Sequence, residues 1–520
     1  MFTLAAALAL AALEPDGPSQ DPPLTDLCAL PGEDAAAARA DWAIIDAREI
    51  TSPKVFADAL KNAPAGKRRV VHGGHFKGAD MRPLAPLLAG ACLVETELEG
   101  TTWEGSDIPN LRLVHIAFIG AKAARVRWPG LSTHGVDPEG SDFTAADLAG
   151  MRFVSAWQGA AFRDVSFRGA NLTEASFACG ITIDVWCINP FQDFSGADLT
   201  RADLSSIGVL EDEVKGARID GTIIPPHSLG ALAAARIEGP VRLGNDVASP
   251  YDYLVEEPSP PVPTPAPTAY PTIVTLTPEE ARSLIAATRA LAEVDDRASF
   301  DCAKAATLTE RIICVSDETD LRSLDRELAA MWAQVVAVGK GDLAQQRRWL
   351  ASRAKCGQDR DCISLLYQAR IERLRALLGP RIALKPGESV TYHDDTLPLP
   401  DAMRTGELYA RILPVLREAS YQRVTLTGNP DGSIAAEGDA IGANAHMCDL
   451  SVTAARFDPK TGWWSARAEG GKRVPLFRVE GRRIFFYYSG NIGNTPDEAM
   501  EFISCGARAG FGEGIDLSPG

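Results

Sequence analysis

The chain has 520 residues, room for roughly two to four domains, and carries 52 Lys and Arg against 69 Asp and Glu, a formal charge of -17. That acidic balance disfavours direct contact with nucleic-acid phosphates and favours a basic partner. No apolar run is long enough to span a membrane, and the hydrophobic content of 46% is that of globular protein.

Residues 1-13, from Met1 to Leu13, read as the apolar core of an export signal, with Ala9-Leu10-Ala11 as a small-residue cleavage pattern, although no Lys or Arg precedes the run. Cys28 follows Asp26-Leu27, which does not resemble a lipoprotein acylation site. The ten cysteines contain no Cys-x-x-Cys pair, which argues for disulfides in an oxidising compartment over zinc or redox chemistry. The expected location is periplasmic or secreted. Residues 34-75 carry two short helical patterns, the second near Pro53–Lys61 with proline at the helix start, and read as a cap.

From residue 76 to 226 large apolar side chains recur at every fifth position. Leu88, Leu93, Leu98, Trp103, Ile108, Leu113, Phe118 and Trp128 share one register, which resumes at Phe143, Leu148 and Phe153. It slips back by one residue to Trp157, Phe162, Phe167, Leu172 and Phe177, and returns after an insertion at Phe194, Leu199 and Leu204. Two positions before each large residue the side chain is often small, as at Ala91, Thr101, Ser106, Ala146 and Ala170. Period five fits neither a helix nor a strand. It fits a square coil of four five-residue sides, each turning one large and one small residue inward, with coils stacked about 4.8 Å apart. These motifs resemble the pentapeptide-repeat family, and the resemblance implies a right-handed quadrilateral β-helix. Residues twenty apart should then stack, so that Asp107, Arg127 and Asp147 form a ladder of alternating charge, as does Lys122 over Asp142. Pro129–Gly140 reads as one irregular side. The segment 178–193 reads as a protruding loop, with Cys179–Cys187 closing it and Trp186 and Phe191 as candidate partner contacts.

Residues 227-253 read as the second cap, with a helix near His227–Arg236, and the proline-rich stretch 254-273 as a linker and domain boundary. The code of residues 275-380 is helical. Thr277-Pro278-Glu279-Glu280 is a capping box, Leu321, Leu324, Leu328, Met331 and Val335 share one helix face, and Gly379-Pro380 stops the last helix. Ser299-Phe300-Asp301-Cys302, Thr309–Cys314, Leu324-Asp325-Arg326-Glu327-Leu328 and Gln346–Leu350 are similar to the LprI-like lysozyme-inhibitor domain family. Arg353, Cys356-Gly357, Cys362 and Tyr367–Ile371 continue the similarity. It implies a protein partner, lysozyme, blocked by occlusion of its cleft, and Arg347, Arg348 and Trp349 are candidate partner contacts. Bridges Cys302–Cys314 and Cys356–Cys362 would staple a module too small for a large core.

Residues 384-520 turn to alternating strands around one helical exception, Glu407–Glu418, and read as a small mainly-β domain in which Cys448 and Cys505 join distant strands. The expected fold is thus multidomain: a β-helix, then a small disulfide-stapled α-helical domain, then a small mainly-β domain. No cofactor or metal is expected, since His72-Gly73-Gly74-His75 lacks a partner carboxylate at a recognisable spacing and no phosphate loop or dinucleotide fingerprint occurs. A serine triad within Ser132, His134 and Asp137 is disfavoured by their closeness in sequence. The reading is therefore a non-catalytic, exported binding and scaffold protein, with lysozyme inhibition as the alternative. DNA mimicry of the gyrase-inhibiting kind is opposed by the export-like start and the cysteines.

Overall fold

The computed structural model describes residues 28–29, 41–154, 164–178, 192–244, 272–295, 297–315, 320–394, 396–441, 447–488, 490, 495–506, 509–511 and 517–519. Trp157, Phe162, Cys179, Trp186, Cys187 and Phe191 lie outside these residues.

The coil is built at its corners. Positions 90, 95, 100 and every fifth residue onward to 150 all take positive φ. Most are glycine, but Glu95, Asn110, His115, Arg125 and Ala145 hold the same left-handed conformation with a side chain. On three of the four sides the large residue's carbonyl accepts from the inward residue three positions on. Ala91 N–H donates to Leu88 O at 2.9 Å, Ser106 to Trp103 at 2.9 Å and Ala146 to Phe143 at 3.1 Å. This is a type II turn, whose third residue needs positive φ. Both ends of the turn face inward, which is why a small residue stands two positions before the next large one.

The ladder begins earlier than the repeat. Strand β1 (Trp42–Asp46) leads through helix α1 (Pro53–Asn62) to β2 (Arg68–His72), and β1 pairs in parallel with β2. They continue into β3 (Cys92–Val94), β4 (Arg112–Val114), β5 (Ser132–His134), β6 (Arg152–Val154) and β8 (Ser176–Ala178), one seven-stranded parallel side. Between the last two, β7 (Val165–Ser166) pairs with β9 (Gln192–Asp193). The first helical pattern expected within 34–63 is therefore a strand where it is described, because pairing with β2 outweighs local propensity. Pro129–Gly140, expected to be irregular, contains β5 and is a regular part of the coil. Helix α1 buries Phe56 and Leu60, and Phe56 stacks on Phe76 at 4.8 Å, closing this end.

The expected charge ladder is present: Asp107 bridges Arg127, and Arg127 bridges Asp147. The Arg127 guanidinium lies 3.6 Å from Asp107 and 3.9 Å from Asp147, an exposed arrangement worth a few tenths of a kcal/mol. Inside, Trp103 and Trp128 meet edge to face at 5.3 Å. Their indole N–H groups donate to Thr101 Oγ1 at 2.8 Å and Ser106 Oγ at 3.1 Å, so the inward small positions also satisfy buried donors. Phe143, Phe167 and Phe194 stack at 5.4 Å per step. The register slip shows as longer coils, Asp142 pairing with Ser166 and Asn171 with Asp198, before Asp198 to Arg218 restores twenty.

The far end is closed by parts from three places. A 3-10 helix spans Pro226–Ala234, and β10 (Ile223–Ile224), β11 (Val241–Leu243) and β12 (Val274–Leu276) form a short sheet. Helix α2 (Pro278–Asp295) follows, opened by the reciprocal Thr277–Glu280 capping box. Its Ala281, Leu284 and Ile285 join the coil's core. The unit expected over 275–380 therefore divides: α2 belongs to the coil's end, and the helical module begins after it.

That module comprises α3 (Leu308–Val315), α4 (Asp320–Ala337), α5 (Leu343–Ala354) and α6 (Arg360–Leu378), with α4 and α6 packed through Leu328, Met331, Val335, Tyr367 and Ile371. After β13 (Ser389–Asp394), helix α7 (Glu407–Glu418) leaves its own domain. It packs Tyr409, Ile412, Val415 and Leu416 into the coil's core. Glu418 accepts from Thr272 N–H at 2.8 Å and Arg411 pairs with Glu280 at 2.7 Å. Strands β14 (Gln422–Gly428), β15 (Ile434–Ile441), β16 (Met447–Asp458), β17 (Trp463–Arg467), β18 (Arg473–Glu480) and β19 (Arg483–Phe486) follow. The short helix α8 (Asp497–Met500), β20 (Ile503–Cys505) and β21 (Leu517–Pro519) complete the chain. The sheet order is β15-β14-β13-β21-β19-β18-β17-β16-β20, and β15 also pairs with β16. That pairing closes an antiparallel barrel, with the short β20 flanking it on β16.

Candidate functional site

The helical module holds the residues the sequence singled out, and the structure sorts them into two sets. One set is gathered around buried Asp325, Arg353 and Tyr367. Asp325 accepts from Ser299 N–H at 2.8 Å and from its hydroxyl at 2.5 Å, and from the Tyr367 hydroxyl at 2.7 Å. Arg353 donates to the Tyr367 oxygen at 2.5 Å, lies 3.8 Å from Glu310 and 3.9 Å from Asp325, and stands over the Trp349 and Tyr367 rings at 5.7 Å. Burial, with Asp325 adding to it, pushes the Tyr367 phenol well above its ordinary range. Glu310 caps α3 by accepting from Thr307 N–H at 2.9 Å. Trp349 donates to Leu366 O at 3.2 Å and meets Tyr367 edge-on at 5.2 Å. Trp349, expected at a partner contact, is therefore half-buried and structural. Buried Asp325, Arg353 and Tyr367 hold exposed Ser299 and half-buried Glu310 and Trp349, and these six carry much of the family resemblance.

The second set faces outward. Arg347 and Arg348 are exposed on α5, and Leu343, Arg347 and Leu350 are spaced to share one face of it. Leu343 and Leu365 are each 65% exposed. With Leu308, Val315, Val336, Val338, Leu350 and Leu377 they make half of the exposed large apolar side chains among the described residues, although residues 299–378 are a small part of the chain. The same span holds 13 Lys and Arg against 11 Asp and Glu, a charge of +2 (13 minus 11) inside a chain of -17. Sequence reasoning found Arg347 and Arg348 but not Leu343 or Leu365. Their signal is leucine at helix positions that face away from the Leu328–Val335 stripe.

The sulfurs of Cys302–Cys314, Cys356–Cys362 and Cys448–Cys505 are bonded. The first ties a 3-10 turn to α3, the second joins the end of α5 to the start of α6, and the third links paired residues of β16 and β20. A fourth bridge, Cys28–Cys92, closes 64 residues and pins residue 28 to the outer face of β3, where Trp42, Val70 and Val94 are also buried. No sequence spacing announced it. The module is clamped to the barrel by a buried charge network. Arg375 pairs with Glu327, Glu372 and Glu480. Arg478 pairs with Glu372 at 3.2 Å and Glu480 at 2.7 Å and lies 4.3 Å over Trp463. Burial, then the neighbouring Arg375, lowers the Arg478 pKa while the glutamates oppose that shift.

Elsewhere, the tilted rings of His115 and His134 lie 5.5 Å apart on the coil, and burial pulls the His134 pKa down. Among the described residues there is no group of three or more His, Cys, Asp or Glu that could hold a metal ion. Among the same residues no helix is long and apolar enough to cross a membrane.

No family model matches the chain. It is 31% identical over 121 residues to lipoprotein LprI of Mycobacterium bovis and to lipoprotein LprI of Mycobacterium tuberculosis, covering 22% of this chain. The chain spans little more than half, 57%, of the length of those relatives. Among solved structures, full-length QnrB1, a plasmid-mediated fluoroquinolone resistance protein, shares 11% identity over 30% of this chain and 84% of its own, with a TM-score of 0.17. HetL, a pentapeptide repeat protein involved in heterocyst differentiation regulation from Nostoc, shares 13% identity over 34% of this chain and 88% of its own, with a TM-score of 0.15. The similarity to LprI is thus confined to about a fifth of the chain, and the coil rests on its own five-residue geometry.

Proposed function

We propose that this chain is an exported, non-catalytic binding protein of the bacterial envelope, in which the coil is a rigid scaffold and the helical module makes the protein–protein contact. The observation that carries the reading is the concentration of exposed apolar side chains on the module, beside Arg347 and Arg348. Disulfides joining all eight cysteines among the described residues support export into an oxidising compartment. The test is capture from solubilised envelope by the full oxidised chain and by a Leu343→Ser/Arg347→Glu/Leu350→Ser variant. The reading requires a partner bound by the first and lost by the second; an identical captured set rejects it.

Lysozyme inhibition is the second reading, favoured by the LprI similarity. It meets two obstacles. The resembling Asp325, Arg353 and Tyr367 are buried and bonded to one another, and a module of charge +2 does not itself attract a basic enzyme. Mixing the full chain with lysozyme and following lysis of cell walls decides it. Inhibition abolished by the same triple variant supports the second reading, and no inhibition at a large molar excess removes it. DNA mimicry needs an uninterrupted acidic face, whereas Arg127 stands between Asp107 and Asp147.

A further inference from the structure

A cleft of about 400 Å³ lies where α6 meets the barrel, remote in sequence from the exposed face of α5. Its apolar surface comes from Trp463, Tyr487 and Pro475, and its rim from Arg373, Lys460 and Thr461. Tyr487 stands edge-on to Trp463 at 4.9 Å and leaves 48% of its surface exposed. The charges here are unequal in their pairing. Glu372 at the base is already held by Arg375 at 2.9 Å, by Arg478 at 3.2 Å and by the Trp463 indole N–H at 3.1 Å. Arg375 and Arg478 also serve Glu327 and Glu480, so three glutamates share two buried guanidiniums and one net negative charge stays behind the cleft, away from Arg373 and Lys460 on its rim. Arg373 and Lys460 are exposed and make no ion pair among the described residues. The cleft therefore offers two uncommitted cations beside a polar aromatic wall and a hydroxyl.

We propose that this cleft binds a sugar carrying a carboxylate, an acidic unit of a glycan. The ring face of Tyr487 suits the apolar face of a pyranose, the Tyr487 and Thr461 hydroxyls suit its hydroxyl groups, and Arg373 and Lys460 take the carboxylate. Concave sites of this size at a domain junction hold small ligands. A peptide fits less well. Closure of the barrel leaves no strand edge there for an extended chain to pair with.

The test uses the full oxidised chain and two probes that differ by one lactyl carboxylate, N-acetylmuramic acid and N-acetylglucosamine, titrated by calorimetry at low salt. The acidic sugar is expected to bind at least about tenfold more tightly. That preference should vanish in Arg373→Ala/Lys460→Ala, and binding of both sugars should weaken in Tyr487→Leu. Both sets of side chains are on the surface, and thermal melts of the variants check that the fold is kept. Arg347→Ala, on the α5 face, should change nothing. Equal affinity for the two sugars, no binding of either at tens of millimolar, or an acidic preference that survives the double variant overturns the proposal. Tighter binding of a blocked Glu-Tyr dipeptide than of the acidic sugar assigns the cleft to peptide and also overturns it.

Discussion

The corner residues give the sharpest test of the coil. Ala145 and Gly140 occupy consecutive corners, at φ 56° and 66°, and Ala145 is exposed. A left-handed conformation costs a residue with a Cβ about 1–2 kcal/mol, and glycine returns about 0.5–1 kcal/mol of that through the freer unfolded chain. Ala145→Gly should therefore stabilise the coil by about 0.5–1 kcal/mol. Gly140→Ala should destabilise it by a similar amount, because a Cβ there would meet Gly120 Cα at 3.9 Å, an ordinary contact with no steric penalty. At Gly130 a Cβ would come within 2.6 Å of Asn110 Oδ1, so Gly130→Ala should cost more than Gly140→Ala. Urea unfolding followed by circular dichroism gives the three midpoints. A destabilising Ala145→Gly, or a neutral Gly140→Ala, would refute the claim that left-handed corners set the coil.

Three further outcomes follow from particular side chains. Tyr367→Phe removes a hydroxyl that serves both Arg353 and Asp325, and should cost the module about 1–3 kcal/mol in thermal stability while leaving capture of the partner intact. Burial raises Glu213, which accepts from Leu210 and Gln192 N–H groups, to about 7. Its folded pKa thus exceeds the ordinary value of 4.5. The native state keeps the proton between those values, so this group's contribution to stability falls as pH rises from about 4.5 to 7, by at most about 3 kcal/mol. Glu213→Gln should flatten the stability difference between pH 5 and pH 8 measured by chemical unfolding, and an unchanged difference contradicts the assignment. Ile412→Ala on α7 opens a cavity in the coil's end and should cost about 2–5 kcal/mol, read as a lower melting temperature for the coil rather than for the barrel.

What the sequence made legible were features with local causes. Leu98, Trp103 and Ile108 reveal the coil because each side repeats the same burial within five residues, and twenty-residue stacking then places Arg127 between Asp107 and Asp147. Thr277–Glu280 and Gly379 announce helix ends through turn chemistry alone. The corner rule was half visible: glycine at 90, 100, 105, 120 and 130 spells it, while Glu95, His115 and Arg125 obscure it. Long-range docking was not legible. The apolar faces of α2 and α7 predict burial but not what covers them, so a proline-rich stretch read as a clean boundary although the chain after it returns to the coil. Barrel closure depends on β15 meeting β16, and Cys28 meeting Cys92 depends on the path of the intervening chain. The site divides in the same way. Arginine and tryptophan at 347–349 were visible as a cluster, but only packing distinguishes exposed Arg347 from Trp349 held against Tyr367.

The central claim is that the outward face of α5 touches a protein partner while the coil serves as scaffold. Photo-crosslinking tests it most directly, with benzoylphenylalanine placed at position 347 and, separately, at position 127 on the exposed charge ladder of the coil. In envelope preparations a discrete protein adduct is expected from position 347, lost when Leu343 and Leu350 are changed to serine, and none from position 127. An adduct from position 127 with none from 347 would contradict it and make the coil the contact surface.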